Sequence, residues 1–350
     1  MRPLLILVAA LAPSAVLAQQ VPAEANRAWE SYAREMRKVS VRIRTESTHR
    51  DRGKVISSGV RDQIVRATPR GLIIEQSDSS GEPRNPEKQY WKLEVVNQKY
   101  EFTGSRAAGS TAWSLTGVTR PDVLKAMPGG GITTRDAIEA DSNLVGLAVD
   151  RVLIDRLLTH RSCRVDSSQR IVRNGQNRYE VNFAIDVEKK IAKSRDLVGG
   201  TVVLDPSNHW LLDASELRLK NGNEGISTVR TTYKYTPGET GLPVPAEVEF
   251  KLTTDDGSYV AEGKSTFEWL GPTKLNDADF TLRAFGFPEH LTDIGTALAG
   301  AAGDTLQTQT DPSEGGNGPW YVPVFFSAIG LVVVGLILRY AIIRRGANRT

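Results

Sequence analysis

From Val39 onward, apolar residues recur at every second position. Val39, Val41 and Ile43 alternate with Ser40, Arg42 and Arg44, and Trp91, Leu93 and Val95 alternate with Lys92 and Glu94. Tyr179, Val181, Phe183 and Ile185 form the clearest run. Val248, Phe250 and Leu252 alternate with Glu247, Glu249 and Lys251, and Tyr233 with Tyr235 and Phe267 with Trp269 continue the pattern. A period of two puts one residue set on each face of a strand. One face apolar and the other charged means antiparallel sheet with one solvated side. Turn sequences separate the runs: Pro69-Arg70-Gly71, Asn174-Gly175, Asp205-Pro206-Ser207-Asn208, Asn221-Gly222-Asn223, Thr236-Pro237-Gly238 and Asp256-Gly257. The pattern predicts about ten strands, with no internal repeat.

Helical spacing appears in three places. Trp29, Tyr32, Ala33 and Met36 share one face of a predicted helix over 22–38. Arg120-Pro121-Asp122 opens a short helix to Met127, ended by Gly129 to Gly131. A third helix is predicted from Ser142 to His160, with Leu144, Ala148, Val152, Leu153 and Leu157 on one stripe. Helix, strands, helices, strands is an α+β order, with the helices on one face of a long curved antiparallel sheet. Val41, Ile43, Trp91, Leu93, Val181, Phe183, Val248 and Phe250 are the candidate residues of the apolar face. They line a ligand cavity or fill a packed core; periodicity does not separate the two.

The two ends read differently from the middle. Residues 1–18, MRPLLILVAALAPSAVLA, have a positive start at Arg2, a short apolar stretch and small residues before the expected cleavage after Ala18. That apolar run is shorter than the ~20 residues a membrane span takes. From Trp320 to Leu338 there is no charge, enough helix to cross roughly 30 Å of hydrocarbon at about 1.5 Å per residue. Trp320 and Tyr321 suit one interface, and Arg339, Arg344 and Arg345 the other. The positive flank places the C-terminus in the cytoplasm. The expected layout is a signal peptide (1–18), an exported domain (19–292), a flexible Gly-rich linker (293–318), one transmembrane helix (319–343) and a short basic tail (344–350). That layout predicts a single-pass inner-membrane protein with its N-terminal domain periplasmic or otherwise extracytoplasmic.

Composition narrows the chemistry. The net charge of +3 over 350 residues, with four arginines among the last twelve positions, shows no basic face for nucleic acid. Cys163 is the only cysteine, which excludes an internal disulfide and any site needing two thiolates. The four histidines, His49, His160, His209 and His290, are scattered, and no HExxH, GxSxG, Walker A or GxGxxG motif occurs. No catalytic residue, metal ligand or cofactor is therefore assigned. A hydrolase assembled from dispersed His and carboxylates is the weakest of the readings.

The order of elements resembles the periplasmic lipoprotein-carrier (LolA-like) superfamily. GGTVVLDPSNHWLLDASELRL, Gly199 to Leu219, is similar to a recurring hairpin of that group, and Ser227 to Leu252 resembles the hairpin that follows. DFTLRAFGFPEH, Asp279 to His290, resembles the closing segment of anchored proteins from planctomycete-type bacteria. The resemblance implies an incomplete barrel with a helical lid that holds acyl chains or senses lipidated proteins. It carries no site residue across. The function it implies is a non-enzymatic, membrane-tethered domain binding a lipid, lipoprotein or other apolar ligand. The alternative is a protein-interaction module, an envelope-stress sensor or scaffold acting with a membrane-protein partner.

Overall fold

The computed structural model describes residues 21–78, 90–107, 109–119, 134–186, 196–220 and 225–289. The predicted signal peptide, the 120–127 helix, the Gly129 to Gly131 loop, the linker, the 319–343 span and the basic tail lie outside the described residues. Among the described residues no helix is long and apolar enough to cross a membrane.

The chain begins with α1 (Ala23–Met36) and six strands: β1 (Val39–Asp51), β2 (Lys54–Ala67), β3 (Gly71–Asp78), β4 (Tyr90–Asn97), β5 (Glu101–Ala107) and β6 (Ser114–Thr119). An insert follows, made of α2 (Thr134–Asp141), a 3-10 turn (Val145–Leu147), β7 (Ala148–Val149), β8 (Val152–Leu153) and α3 (Ile154–Thr159). Seven more strands complete the fold: β9 (Cys163–Arg173), β10 (Gln176–Ile185), β11 (Asp196–Asp205), β12 (Leu211–Lys220), β13 (Ile226–Pro237), β14 (Pro243–Thr254) and β15 (Tyr259–Pro272). Two 3-10 turns, Asp277–Phe280 and Leu282–Phe285, close the described chain.

Among the described residues thirteen strands form one antiparallel sheet in the order β6-β5-β4-β3-β2-β1-β15-β14-β13-β12-β11-β10-β9. Each strand pairs with its neighbour in sequence, with one exception at the centre. There β1 pairs with β15, from Val39 opposite Pro272 to Asp51 opposite Tyr259. Two meanders are thus joined through their terminal strands. The edges β6 and β9 do not pair with each other, so the sheet is open.

The strand count corrects the expectation of about ten. Strands such as β6 (SLTGVT) and β9 (CRVDSSQRIVR) do not alternate cleanly, because they are edges with little to bury. In β3, Leu72, Ile73 and Ile74 are all buried, because both faces of the sheet are covered there. The predicted helix from Ser142 to His160 is also corrected. Its apolar stripe is buried, but through a 3-10 turn, a two-strand ladder and the short α3. Asp150 and Arg151, at φ 45° and 69°, make the tight turn between β7 and β8 and break any helix.

Direct register partners share a face, which separates two layers. The inner face carries Val41, Val65, Ile74 and Val248 and meets α1 and the insert. Helix α1 turns Ala25, Trp29, Tyr32, Ala33 and Met36 toward it, and the Trp29 indole N–H donates to the Trp210 carbonyl at 2.8 Å. Burying one such large apolar side chain contributes about 1.5–3 kcal/mol, so this layer is the main source of stability. The outer face is charged over most of its width. Across β3–β5 it is apolar instead, and Phe280, Leu282, Phe285 and Phe287 of the C-terminal strap pack on Ile73, Leu93, Val95 and Phe102. Asn97 Nδ2 donates to the Phe280 carbonyl (2.7 Å), and the Leu282 N–H donates to the Tyr100 hydroxyl (3.0 Å).

Gly71 makes the strap fit. A Cβ there would stand 2.4 Å from Cγ of Phe280, inside any real contact. We expect Gly71→Ala to destabilise the fold by about 1–3 kcal/mol in equilibrium denaturation, as overpacking does. Phe280→Ala should cost about 3–5 kcal/mol, and the double variant should cost less than the sum because the clash goes with the ring.

Candidate functional site

The insert covers the inner face without joining the sheet's backbone ladder. Its strands β7 and β8 pair only with each other. Side chains hold it instead. Glu139 is buried and accepts from Arg37 Nε of the α1 C-terminus (2.8 Å) and from Arg135 Nε (2.7 Å). Arg135 also donates to the Thr68 carbonyl at 2.6 Å. Asn143 Nδ2 donates to the carbonyls of Met36 and Val39. Within the insert Arg156 meets Asp136 at 2.8 Å and Arg151 meets Asp141 at 3.5 Å. Ile138 adds an apolar peg among Val41, Val65, Leu72 and Val96.

Beneath the insert the inner face turns polar. Register places Gln63 opposite Gln76, Ile74 opposite Glu94, and Glu101 opposite Val96. Glu94 of β4 and Glu101 of β5 are therefore diagonal neighbours on the covered face. Arg61, Gln63, Gln76 and Glu101 are buried, and Glu94 Oε1 is shut off from solvent. Loss of solvent, followed by the charge of Glu101 and a hydrogen bond with it, pushes the Glu94 carboxyl up to about 8, against a smaller downward pull from Arg151. On the other wall a cavity of about 50 Å³ lies between the insert and β12–β13, lined by Asp141, Asp150, Arg151, Ser215, Thr231 and Tyr233 among others. Burial lifts the Tyr233 hydroxyl far above its ordinary range.

Sequence reasoning missed this cluster. Lys92 and Glu94 read as the solvated half of an alternating strand, and for Lys92 that is how it stands. The signal that could have found Glu94 is the contiguous apolar run Leu72-Ile73-Ile74 on the neighbouring strand, which betrays cover on both faces.

The eight candidate apolar residues are not brought to one place. Val41, Ile43, Val181, Phe183, Val248 and Phe250 lie buried on the inner face. Phe250 packs its ring over Gly263, where a Cβ would stand 2.6 Å from the ring carbons. Leu93 is buried on the outer face under the strap. Half-buried Trp91, also on that face, forms with Trp113 a pair of indoles around the Arg106 guanidinium, 5.6 and 4.4 Å from the ring centroids. Trp320, Tyr321, Arg339, Arg344 and Arg345 lie outside the described residues.

Cys163 starts β9, half-buried, and burial with the nearby Asp166 pushes its thiol up to about 11. His49, buried at 3.0 Å from the Tyr259 hydroxyl, is lowered to about 4 by desolvation. Among the described residues no group of three His, Cys, Asp or Glu could hold a metal. A second hollow, an open trough of about 850 Å³, crosses β2, β1, β15, β14 and β13, lined by Glu46, Arg230, Glu249, Lys251, Glu262 and Lys264 over small residues.

No family model matches the chain, and no curated protein matches it. Solved structures align along most of their own length. A DUF1329 family protein from Desulfovibrio piger matches over 75% of this chain and 96% of its own, at 8% identity and a TM-score of 0.40. A LolA superfamily protein from Nitrosomonas europaea matches over 73% and 97%, at 10% identity and 0.37. A β-barrel-like protein of a domain of unknown function, DUF1849, from Brucella abortus gives 67% and 98%, at 9% identity and 0.20. Scores this low do not establish a shared fold, and the chain's own geometry carries the functional reading.

Glu94 and His49 give stability opposite pH dependences. The fold binds the Glu94 proton more tightly than the unfolded chain does, so its contribution falls as pH rises from about 4.5 to about 8. The fold rejects the His49 proton, so stability falls as pH drops from 6.5 to about 4. Denaturation across this range should show Glu94→Gln flattening the alkaline limb and His49→Gln the acid limb. A limb unchanged in its own variant would overturn that assignment.

Proposed function

We propose that this domain is an exported, membrane-tethered and non-enzymatic binder of an apolar ligand, the acyl chain of a lipid or lipoprotein. The ligand enters between the inner face and the insert. The observation that carries this reading is the manner of covering. A wide apolar sheet face is closed by a segment held through side chains and ion pairs, with no strand shared with the sheet. A segment that shares no strand with the sheet can leave without breaking the sheet's ladder, so one apolar partner can replace another. In the closed form Leu144, Leu147, Val149 and Leu157 of the insert occupy the apolar layer, and an acyl chain would take their place at similar transfer free energy. The lipoprotein-carrier resemblance of the hairpins at Gly199–Leu219 and Ser227–Leu252 supports the same ligand class. The charge-free Trp320–Leu338 stretch and the leader-like residues 1–18 support the tether and the export.

A photoactivatable fatty acid presented to the full chain in lipid nanodiscs should crosslink to peptides holding Val181–Phe183 and Val248–Phe250. Crosslinks confined to 319–343, the membrane-embedded stretch, would sink the reading. Topology is tested separately: an alkaline phosphatase fused after Thr350 should be inactive in intact cells, and an active fusion would reverse the proposed orientation.

A further inference from the structure

We infer that the polar head of the ligand, the carbonyl oxygen that ends an acyl chain, is held at the β11–β12 turn by the Tyr32 hydroxyl and the His209 ring. The inference rests on the reading of this domain as a binder of acyl chains and adds where the head of the chain sits.

Tyr32 supplies the first half of the site. It lies on the buried face of α1, between Trp29 and Met36, and is fully shielded from solvent. Among the described residues its hydroxyl has no hydrogen-bond partner. Leaving a buried hydroxyl unpaired is costly, and folded proteins rarely do so without a reason. Burial also pushes its ionisation far above the ordinary tyrosine range, so it keeps its proton. The group it is suited to meet is a hydrogen-bond acceptor, such as a carbonyl oxygen.

His209 supplies the second half. Asp205 Oδ1 shapes the turn from β11 into β12 by accepting from the Ser207 N–H (3.0 Å) and hydroxyl (2.6 Å), and the Trp210 N–H returns to the Asp205 carbonyl (2.9 Å). His209 and Trp210 then both stand in the left-handed region, at φ 55° and 58°, a conformation bulky residues keep only where contacts enforce it. Trp210 is buried, its ring edge-on to Tyr179 with centroids 5.4 Å apart and its carbonyl bonded by the Trp29 indole. Beside it the His209 ring stands next to Tyr32, 6.3 Å between centroids. Tyr32 is sealed and His209 half-buried, so the pair spans the step from the apolar layer to solvent. An imidazole carries an N–H in either tautomer, so both members of the pair can donate. The insert reaches the same corner. Gly146 backs onto the Tyr235 hydroxyl, where a Cβ would stand 2.8 Å away, and that hydroxyl donates to the Leu212 carbonyl (2.7 Å), two residues beyond Trp210. Tyr32 and Trp210 share one apolar layer with Leu144 and Leu147 of the insert. An acyl chain that replaces those leucines can end its carbonyl at this step.

Photoactivatable long-chain probes on the full chain in nanodiscs test this: a fatty acid, its methyl ester and the plain alkane. Tyr32→Phe should raise the concentration for half-maximal crosslinking of the acid or the ester about three- to tenfold, the worth of one hydrogen bond, and leave the alkane unchanged. A shift for the acid alone assigns the head to a free fatty acid, and a shift for the ester to an acylated lipid or protein. No shift for either, or an equal shift for the alkane, overturns the head site. Stability of the ligand-free chain is the companion measurement. Tyr32→Phe should leave the denaturation midpoint unchanged or raise it, because the hydroxyl it removes is unpaired in the fold. A lowered midpoint shows that the hydroxyl is bonded within the fold, to protein or to a trapped water, and overturns the site. Orientation is read from where the label lands. A photoactivatable group beside the carboxyl should label the peptide holding His209 and Trp210, and one near the far end of the chain should label Val181–Phe183 and Val248–Phe250. Head labels elsewhere, with tail labels on those strands, retire the head site and keep the acyl-chain reading. Labels of both kinds confined to 319–343 retire both.

Discussion

Everything in this fold depends on the pairing of β1 with β15. It is the one junction in the sheet that sequence neighbours do not make, and it binds residues 220 apart, as in the buried Thr45–Ser265 hydroxyl contact at 2.8 Å. Without it the chain is two separate meanders, each with an extra raw edge, and edges invite association with other chains. With it the sheet becomes a single surface wide enough to wrap α1 and the insert. Contacts this distant in sequence carry a heavy loop-closure cost, so the central ladder should form late, after the hairpins on each side. The inner face becomes one continuous floor only after that ladder has formed.

The two halves of that floor are finished differently. Under β10–β14 the inner face is apolar, and α1 and the insert seal it with Trp29, Leu144, Leu157 and their neighbours. Under β2–β5 the same face passes from Val65 and Ile74 to Gln63, Gln76, Glu94 and Glu101. A packed hydrocarbon contact has no preferred pH, whereas a buried carboxylate pair does.

Much of this was readable in the chain itself. Helix α1 has its predicted face, and β10 and β14 alternate as their sequences do, because each has one covered side and one wet side. Legibility failed where that condition failed. At β3–β5 the insert covers one face and the C-terminal strap the other, so Glu94 looked solvated and Leu93 looked inward when the reverse holds. The stretch from Ser142 to His160 kept a helical stripe because every apolar residue in it is buried except the half-buried Leu158. Burial from several directions mimics a period of 3.6 when the segment is a turn, a ladder and one helical turn and a half. The candidate site lies in these two places. It is written in tertiary cover, which a single strand or helix does not encode.

The C-terminal strap has a mechanical consequence. After leaving β15 at the middle of the sheet, the chain crosses the outer face and is fastened at Phe280, Leu282 and the Tyr100–Glu289 contact before continuing toward the C-terminus. A pull applied beyond Glu289 therefore meets the aromatic clamp on β3–β5 first. The clamp has to peel before any load reaches the hydrogen bonds of β15. The central ladder is in this way insulated from whatever tension the downstream segment transmits, much as a cable grip spares the joint behind it.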